Sequence, residues 1–503
     1  MPSDRRLHPA SMLFVLWSQL GQLAVPGLLL LVSAGSAGLN WQAWTVVLII
    51  PYTLIALMRY ASFTYRYEPD DIVIRTGFIF RNERHVPYAR IQNVDAVQNV
   101  VHRLLGVVDV RLETGGGQQP EARLSVLPLQ AFEEMRQKVL EERARAGVGV
   151  STEAGAEPPD RVLLHLSIRE LAIGGLIENR GFVIIAAALG LLWEFGGADG
   201  VLDRMLGDAA VVRGVMRDTA RAVFAGGGPG AGRVALAIGM FVLLLAFVRI
   251  LSMAWALIRL YDFRLTRDGD DLHSTYGLLT RVSATIPLRR IQTLTIREGP
   301  LHRLLGRASV RVETAGGAPG TQGRTRQREW LAPIILKDRL PGFLTAVLPG
   351  VDLSAVEWRS PEPPAYRRAL RIGLFLAVPM TLAIVWLLRR WSLVFLPLPF
   401  LWALVGSRKS VQHLGWGLTD QAVVFRSGWI WRATTAARFT KIQTVTLHES
   451  PFDRRWAMAR VRIDTAGASE ASHRVDIPFL QRDAADELFN RLATKAEQTE
   501  FTW

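Results

Sequence analysis

The stretch that decides the fold is Tyr88-Ala-Arg-Ile-Gln-Asn-Val94, because closely similar stretches occur twice more along the chain. Its counterparts are Leu288-Arg-Arg-Ile-Gln-Thr-Leu294 and Phe439-Thr-Lys-Ile-Gln-Thr-Val445. The three copies keep one register without a gap, starting at Gly77, Gly277 and Gly428 and continuing to Gly116, Gly316 and Gly467. An internal repeat with a fixed register indicates that one structural unit is used several times. The chain is therefore predicted to contain three copies of one unit.

Apolar and charged residues are segregated along the chain, in which 50% of residues are hydrophobic and 21% are charged. No Asp, Glu, Lys, Arg or His occurs from Ser11 to Met58. A membrane-spanning helix needs about 20 apolar residues, so this stretch is predicted to form two spans. The alternative is a secretory signal peptide after Arg5 and Arg6. The apolar stretch is too long for that, and similar pairs precede the other repeats.

Two further pairs of apolar segments precede the second and third repeats, the second pair enclosing an extended loop. These segments are Gly181–Ala198, Val234–Ile258, Ile372–Leu388 and Trp391–Ser407. Six transmembrane helices in three hairpins are thus predicted. Lys and Arg collect in the repeats, and cationic segments stay on the cytoplasmic side. All three repeats and both termini are therefore expected in the cytoplasm of a bacterium, with the hairpins in its inner membrane. Arg389 and Arg390, in the third hairpin turn, run against this rule.

The formal net charge of +14 favours an anionic partner. Anionic lipid attracts each Lys or Arg near the membrane surface by about 1 kcal/mol. Nucleic acid is the competing partner, but the basic residues are spread over three membrane-tethered units and form no recognisable nucleic-acid motif. Lipid headgroups are therefore expected and nucleic acid is not. The chain has no cysteine, which excludes disulfides, thiolate metal sites and cysteine nucleophiles.

Each polar repeat combines short alternating segments with a closing amphipathic helix. Residues Val108 to Leu112 alternate in the period of two that is typical of a half-buried strand. The helix is clearest at Gln130–Arg143 and Gln481–Lys495, whereas Pro341 and Gly342 predict a shorter or irregular helix in the middle copy. Strands followed by one helix predict an α+β unit, with a small antiparallel sandwich or barrel covered at one end.

These patterns divide the chain into membrane hairpins, polar domains and linkers. A short linker is expected at Ser360–Pro364. The expected segments are hairpin 1 (11–58), domain 1 (59–145), a flexible linker (146–160), hairpin 2 with a long extracytoplasmic loop (171–258), domain 2 (259–350), hairpin 3 (370–407) and domain 3 (408–498).

The arrangement resembles a known family. A membrane hairpin followed by Pro-x-x-Arg-Ile-Gln, His-Arg-Leu-Leu-Gly and a strand ending in Glu-Thr-(Gly/Ala)-Gly resembles the bacterial pleckstrin-homology-like domain of membrane-flanked, YdbT-like proteins. The resemblance implies, for each unit, a seven-stranded pleckstrin-type barrel with a C-terminal helix. The third copy departs from the pattern, with Arg438 in place of the proline and Asp453-Arg-Arg-Trp-Ala457 in place of His-Arg-Leu-Leu-Gly. The matching residues are Pro87, Arg90–Gln92, His102–Gly106 and Glu113–Gly116, and Pro287, Arg290–Gln292, His302–Gly306 and Glu313–Gly316.

Three polar positions recur in the copies without an obvious need in folding. Two of the positions are basic in every copy and the third is always glutamine. One interpretation is a surface that binds anions or lipid headgroups. The other is structural, in which these residues satisfy loop carbonyls or pair with the acids Glu113, Glu313 and Asp464. The candidate residues are Arg90, Gln92, Arg103, Arg290, Gln292, Arg303, Lys441, Gln443 and Arg454. The apolar positions Ile91, Ile291 and Ile442, and Leu105, Leu305 and Trp456, are expected in the cores.

The sequence contains no pattern that predicts catalysis. It has no Gly-x-Ser-x-Gly, phosphate-loop or His-Glu-x-x-His motif, and His102 and His302 lie in no cluster with metal-ligand spacing. No catalytic, metal or cofactor residue is therefore assigned. We expect a non-enzymatic membrane protein that presents three cytoplasmic modules to the membrane surface, to a membrane-protein partner or to itself, in envelope maintenance or stress. The alternative is a transporter or export component that uses the six helices.

Overall fold

The computed structural model describes residues 5–6, 54, 58, 60, 62–77, 81–88, 91–114, 122–145, 161–178, 180–181, 231–314, 330–388, 392–465 and 475–498. We number the repeats 1 to 3 from the N-terminus. Repeat 1 has two antiparallel sheets. The first contains β1 (Arg5–Arg6), β2 (Thr64–Tyr67), β3 (Asp71–Thr76) and β4 (Asn82–Pro87). The second contains β5 (Ile91–Asn99), β6 (Val107–Thr114) and β7 (Ala122–Pro128), with helices α1 (Val100–Leu104) and α2 (Leu129–Arg145).

Repeat 2 has the same order of elements. Its first sheet comprises β8 (Arg161–His165), β9 (Arg264–Asp268), β10 (Asp271–Tyr276) and β11 (Thr280–Pro287), and helices α3 (Ile168–Ile177) and α4 (Ala231–Leu260) lie between β8 and β9. Its second sheet comprises β12 (Ile291–Glu298), β13 (Arg307–Thr314) and β14 (Trp330–Leu336), with helices α5 (Pro300–Leu304) and α6 (Leu340–Val347).

Repeat 3 begins with the helices α7 (Pro364–Leu388), α8 (Ser392–Phe395) and α9 (Leu398–His413). Its strands are β15 (Gly415–Leu418), β16 (Ala422–Ser427), β17 (Arg432–Arg438), β18 (Ile442–His448), β19 (Met458–Thr465) and β20 (Val475–Gln481). Helix α10 (Pro451–Arg454) follows β18, and α11 (Arg482–Gln498) closes the repeat. Gln92, Gln292 and Gln443 are each the second residue of equivalent strands β5, β12 and β18, as the repeat predicts.

The sheets join consecutive repeats to one another. Strand β5 of repeat 1 pairs with β11 of repeat 2, and β12 of repeat 2 pairs with β17 of repeat 3, in both cases antiparallel. Within the described residues, the two sheets of one repeat are not hydrogen-bonded to each other. The expected closed seven-stranded barrel is therefore not observed. Seven strands are described in repeat 2, but their two sheets pack face to face around a core. The edge strands β11 and β12 pair with strands of the neighbouring repeats instead of with each other.

Each repeat keeps its own hydrophobic core between its two sheets. Ile91, Ile291 and Ile442 are buried in these cores, as predicted. The core of repeat 2 also takes in Ala422, Val424 and Ala436 from the first sheet of repeat 3. Leu105 and Leu305 are about two-fifths exposed, so their predicted place in the core is wrong. They follow the short helices α1 and α5, whose apolar residues point away from the sheets.

The first strand of a repeat precedes its membrane hairpin. Strand β8 pairs with β9 although more than 90 residues of chain lie between them. Strand β1 pairs with β2 across the shorter segment between Arg6 and Thr64. In repeat 3 the equivalent pairing is reduced to a single β-bridge between Arg359 and Trp416. Each predicted hairpin segment thus lies between two paired stretches of the same repeat. The sequence had predicted that each polar domain begins only after its hairpin.

Two of the described helices are long and apolar enough to cross a membrane, at Ile238–Leu260 in α4 and Pro364–Trp386 in α7. Hairpin 1 falls almost wholly outside the described residues, and linker 146–160 and residues 182–230 lie entirely outside them. The final helix of hairpin 3 is shorter than predicted and starts later, at Leu398, because the chain turns at Leu396 and Pro397.

The helices pack closely where their residues are small. A Cβ atom added at Gly175 of α3 would lie 2.6 Å from the Cα of Met253 and 2.8 Å from the Cβ of Ala256. At Gly373 of α7 it would lie 3.0 Å from the Ser407 hydroxyl. Small residues at helix contacts are typical of membrane bundles, in which close backbone approach provides the packing. The helix α6 has eight residues and begins beside Pro341, which agrees with the predicted short helix in the middle repeat.

The tight turn before β17 generates a prediction. Gly428 has a φ of +81°, and a Cβ there would collide with the carbonyl oxygen of Trp431. Gly428→Val should therefore destabilise the full-length protein by about 1–3 kcal/mol, the usual cost of a strained backbone position. Thermal denaturation of the purified protein in detergent measures this. Gly342→Ala, in a helix with open space around it, is the control and should leave the transition unchanged or raise it. An unaltered transition for Gly428→Val would contradict the turn geometry.

Candidate interfacial surface at the repeat junctions

An arginine on a short helix reaches the next repeat at each internal junction. Arg103 of α1 donates a hydrogen bond from Nη1 to the carbonyl oxygen of Leu278, at 2.7 Å. Arg303 of α5 makes the equivalent contact with the carbonyl oxygen of Trp429, at 2.8 Å. Leu278 and Trp429 occupy equivalent turns before β11 and β17. The two predicted site arginines therefore help to hold consecutive repeats together.

Large apolar side chains surround these arginines and are exposed. Leu104 and Leu304, next to the arginines, are 85% and 79% exposed. In the facing turns, Leu279 is 51% and Trp431 is 73% exposed. We call these exposed groups, together with Leu105, Leu305, Leu278 and Phe452, the apolar tips. Exposed large apolar side chains that cluster around one contact indicate an interaction surface.

The apolar tips lie beside the ends of the membrane helices. The turn that holds Leu278 donates backbone hydrogen bonds to the end of α4, from Leu278 to Ile258 at 2.9 Å, and to the residue that follows this helix, from Gly277 to Tyr261 at 2.8 Å. In repeat 3 the ring of Trp429 lies 5.6 Å from that of Trp402 in α9. The tips of repeats 2 and 3 therefore lie beside the C-terminal end of the candidate span in α4 and beside α9, respectively.

In repeat 3 the equivalent short helix contacts the start of α7. Arg368 forms an ion pair with Asp453 at 3.0 Å and lies over the ring of Phe452. Burial tends to raise the pKa of Asp453, but hydrogen bonds from Ser450 and Arg368 outweigh it and leave the pKa below its ordinary value. Arg371 lies 4.5 Å from the centre of the Trp456 ring. Arg368 and Arg371 of α7 thus hold the apolar tip of repeat 3 in place.

Four of the other predicted residues, Arg290, Gln292, Lys441 and Gln443, lie at the opposite end of the strands. Arg290 is in the turn before β12, and Arg303 follows that strand; eight residues at about 3.3 Å each separate the two ends by roughly 26 Å. Gln292 is buried, with its amide donating to the carbonyl of Arg290 at 3.4 Å. Gln443 is exposed, and Arg454 is exposed at the apolar tip of repeat 3. Arg90 and the side chain of Gln92 lie outside the described part of the structure. The candidates therefore do not form one patch.

Lys441 is buried rather than available at a surface, with 2% of its area exposed. Burial lowers its pKa, and the nearby charges of Arg438 and Arg289 lower it further. At the other end of the equivalent strand β12, His302 of α5 is partly buried: the Gly299 amide donates to His302 Nδ1 at 3.2 Å, and burial lowers the histidine pKa. These surroundings indicate that Lys441 and His302 stabilise the turns in which they lie.

One group among the described residues has the composition of a metal site, formed by Glu68, Asp71 and His85. His85 Nδ1 lies 2.7 Å from Asp71, and Arg66 lies 2.6 Å from Glu68. These contacts are those of an exposed ion-pair network on the first sheet of repeat 1.

Sequence reasoning missed the exposed leucines of the tips. Leu104 and Leu304 belong to the His-Arg-Leu-Leu-Gly stretch, which was interpreted as core and anion-binding residues. Leu104 and Leu304 each end a five-residue helix and are followed by a second leucine, so the two side chains point in different directions, and this was a signal in the sequence.

Paired sheets with a closing helix, repeated three times around membrane segments, define a transmembrane protein built from PH-like units. The comparisons agree: the chain belongs to the bacterial PH domain family, which matches residues 20–143, 214–337 and 368–496. The first two matches begin within predicted hairpins, and the third begins at residue 368, just before the predicted hairpin 370–407. The chain is 23% identical to the UPF0699 transmembrane protein YdbT of Bacillus subtilis (strain 168) over 464 residues, which are 88% of this chain and 86% of that protein. No solved structure matches the chain.

The junction contact can be tested with two equivalent arginines. Arg303→Ala removes a hydrogen bond from a charged donor, which contributes about 1.5–3 kcal/mol. Hydrogen exchange of the amides at 428–431 should become at least several-fold faster. Arg454→Ala is the matched control, since Arg454 has the same position in repeat 3, the final repeat. An equal acceleration in both variants, or none in Arg303→Ala, would mean that Arg303 does not hold the turn.

Proposed function

We propose that this protein is a non-enzymatic platform whose three PH domains rest on the cytoplasmic face of a bacterial inner membrane. The apolar tips insert into the interface, and the adjacent arginines meet anionic headgroups. The observation that carries the proposal is the exposure of Leu104 and Leu304 beside the ends of membrane helices. A surface held in this way is available to a lipid or to a membrane-protein partner.

Physical magnitudes favour insertion of the tips. Moving one exposed leucine side chain out of water yields about 1.5–3 kcal/mol. Each nearby cation adds about 1 kcal/mol on an anionic surface. Because the membrane helices already hold the modules at the surface, these gains do not have to offset the entropy of association. Several such contacts then suffice to fix the orientation of the modules.

The arginines of the tips can serve both the junction and the lipid. A guanidinium has five N–H donors, and one contact with a carbonyl leaves others for a phosphate. Arg103 lines a small cavity of ≈ 80 Å³ with Arg281 and Tyr276. Burial raises the pKa of Tyr276 to about 12, so its hydroxyl is protonated and can donate a hydrogen bond. Of the predicted residues, we assign headgroup contact to Arg103, Arg303 and Arg454.

Strand pairing supports a six-span topology with both termini in the cytoplasm. Because β8 and β9 are neighbours in one sheet, the chain between them has to leave and return on the same side of the membrane. The same holds for β1 with β2, and for Arg359 with Trp416. Each insertion therefore crosses the membrane an even number of times, and two crossings for each insertion give six.

The transporter alternative needs polar side chains that are free within the spans. In α4, Arg249 donates to the carbonyl of Leu176 at 2.8 Å, and Ser252 donates to that of Glu178 at 2.6 Å. These polar groups satisfy the end of α3, where the helix stops. They are used in helix packing, which favours an anchoring role for this hairpin.

Insertion of the tips can be measured with a fluorophore. The chain has no cysteine, so Leu304→Cys can be labelled with an environment-sensitive dye in nanodiscs that contain only this protein. Emission should shift to the blue, and spin-labelled lipids should quench it at interfacial depth. Glu487→Cys, on the exposed face of α11, is the control and should stay in water. Emission from position 304 that matches position 487 would refute insertion, and a shift that needs a second protein would indicate a partner surface instead.

The topology can be tested with reporter fusions. Fusions at Val150, Gly350 and Trp503 should all report the cytoplasm, because an even number of spans separates them. A periplasmic signal at any of the three positions would contradict six spans.

A further inference from the structure

The series of joined sheets has two open ends. In the part of the chain that the structure describes, β4 pairs only with β3, and β18 pairs only with β19. Thr444 and Thr446 of β18 are exposed. Their equivalents in β12, Thr293 and Thr295, are 3% and 4% exposed, because β17 covers them. An uncovered strand edge offers unpaired backbone groups to another strand.

Both internal junctions use the same register. At the first junction Ala96 of β5 lies opposite Ser283 of β11, and at the second Ile296 of β12 lies opposite Thr434 of β17. These are equivalent pairs, since Ala96, Ile296 and Leu447 share one repeat position, as do Glu83, Ser283 and Thr434. The same register applied to the open ends places Leu447 opposite Glu83 and Thr446 opposite Arg84.

Charge is complementary at the end of this register. Arg281 lies opposite Gln98, and Arg432 lies opposite Glu298, at one repeat position of the two internal junctions. The equivalent residues of the open ends are Arg81 and Glu449. Glu449 also forms an ion pair with Arg482 of its own repeat, as Glu298 does with Lys337 at the internal junction. Opposite charges across neighbouring strands stabilise pairing by roughly 0.2–1 kcal/mol. The arginine is present at this position in all three repeats, including repeat 1.

We propose that a second copy of this chain occupies these ends, with β18 of one copy pairing with β4 of the next. The contact continues the internal junctions and adds a repeat 3 to repeat 1 junction between chains. The interface is heterologous, so it produces a ring if the rotation closes and an open row if it does not. The proposal does not depend on membrane insertion of the tips.

The exposed side chains of β4 restrict the partner. Asn82, Glu83, Arg84 and His85 are all exposed, and charged edge strands resist indiscriminate pairing. The pairing is accordingly weaker than the internal ones, in which β17 presents alanines and threonines to β12. Confinement to one membrane plane with one orientation raises the local concentration of the two ends and compensates for this weakness.

Disulfide trapping in native membranes tests the proposal. Two differently tagged full-length chains are co-expressed at low level, one with Arg84→Cys and the other with Thr446→Cys. Directly opposite residues have Cβ atoms about 4.5–5.5 Å apart, close enough for a disulfide after small adjustment. We expect oxidation to join the two tags. The positive control is Thr295→Cys with Thr435→Cys in one chain, the equivalent internal pair, whose hydroxyls lie 3.1 Å apart.

Two matched pairs define the outcome. Glu83→Cys with Thr446→Cys shifts the register by one residue and points the thiols to opposite faces, so its yield should be several-fold lower. Glu487→Cys with Arg84→Cys reports random collision. No 84–446 disulfide, while the internal 295–435 pair forms, would overturn the proposal. So would equal yields in all pairs, or trapping of Thr446→Cys only by a different protein.

Discussion

Antiparallel pairing between the second sheet of one repeat and the first sheet of the next is the constraint on which the structure depends. It satisfies backbone groups of β5, β11, β12 and β17 that would otherwise remain at exposed edges. It also places each joined sheet between two hydrophobic cores. In β17, for example, Ala436 faces the core of repeat 2 and Ala437 faces the core of repeat 3. The three PH domains are therefore one continuous body rather than separate modules on tethers.

The same sheets determine where the membrane segments leave the body. A hairpin inserted between two hydrogen-bonded strands has both of its ends fixed within a few ångströms of each other. The helices that leave such a point are antiparallel neighbours, and the close approach of Gly175 to Met253 is the packing expected for them. In repeats 2 and 3 the described helices thus anchor the first sheet directly, and the second sheets follow through the junctions.

Much of this fold is predictable from the sequence because it repeats. The gap-free register gives three equivalent units, the alternation of residues 108–112 gives strands, and Pro341 gives the short middle helix. The partner of each sheet edge is not predictable in the same way, because a period of two identifies the buried face of a strand and leaves its neighbour unspecified. A resemblance to a closed barrel therefore suggested closure within each unit, whereas the edges pair between units.

The candidate residues show the same limit. Recurrence identified Arg103 and Arg303, but it could not separate a residue that recurs for binding from one that recurs because every junction needs it. Lys441 illustrates the difference, since a cation with 2% exposure and a lowered pKa is no ligand for a distant headgroup. Leu104 and Leu304 went unnoticed because apolar residues are expected inside, and only their exposure revealed them.

The junctions and the apolar tips are the same places in the molecule, which links assembly to the membrane. Arg303 holds the turn of Trp429, while Leu304 and Trp431 on either side of it are exposed. If the membrane takes up these side chains, it favours the arrangement in which the short helix and the facing turn of a junction lie at the same depth. This arrangement stabilises the pairing of the adjoining strands. By reciprocity, a paired junction presents two apolar elements to the membrane together. The coupling extends across a contact between chains, since Phe452 and Arg454 provide one half of the same arrangement at the open end of repeat 3.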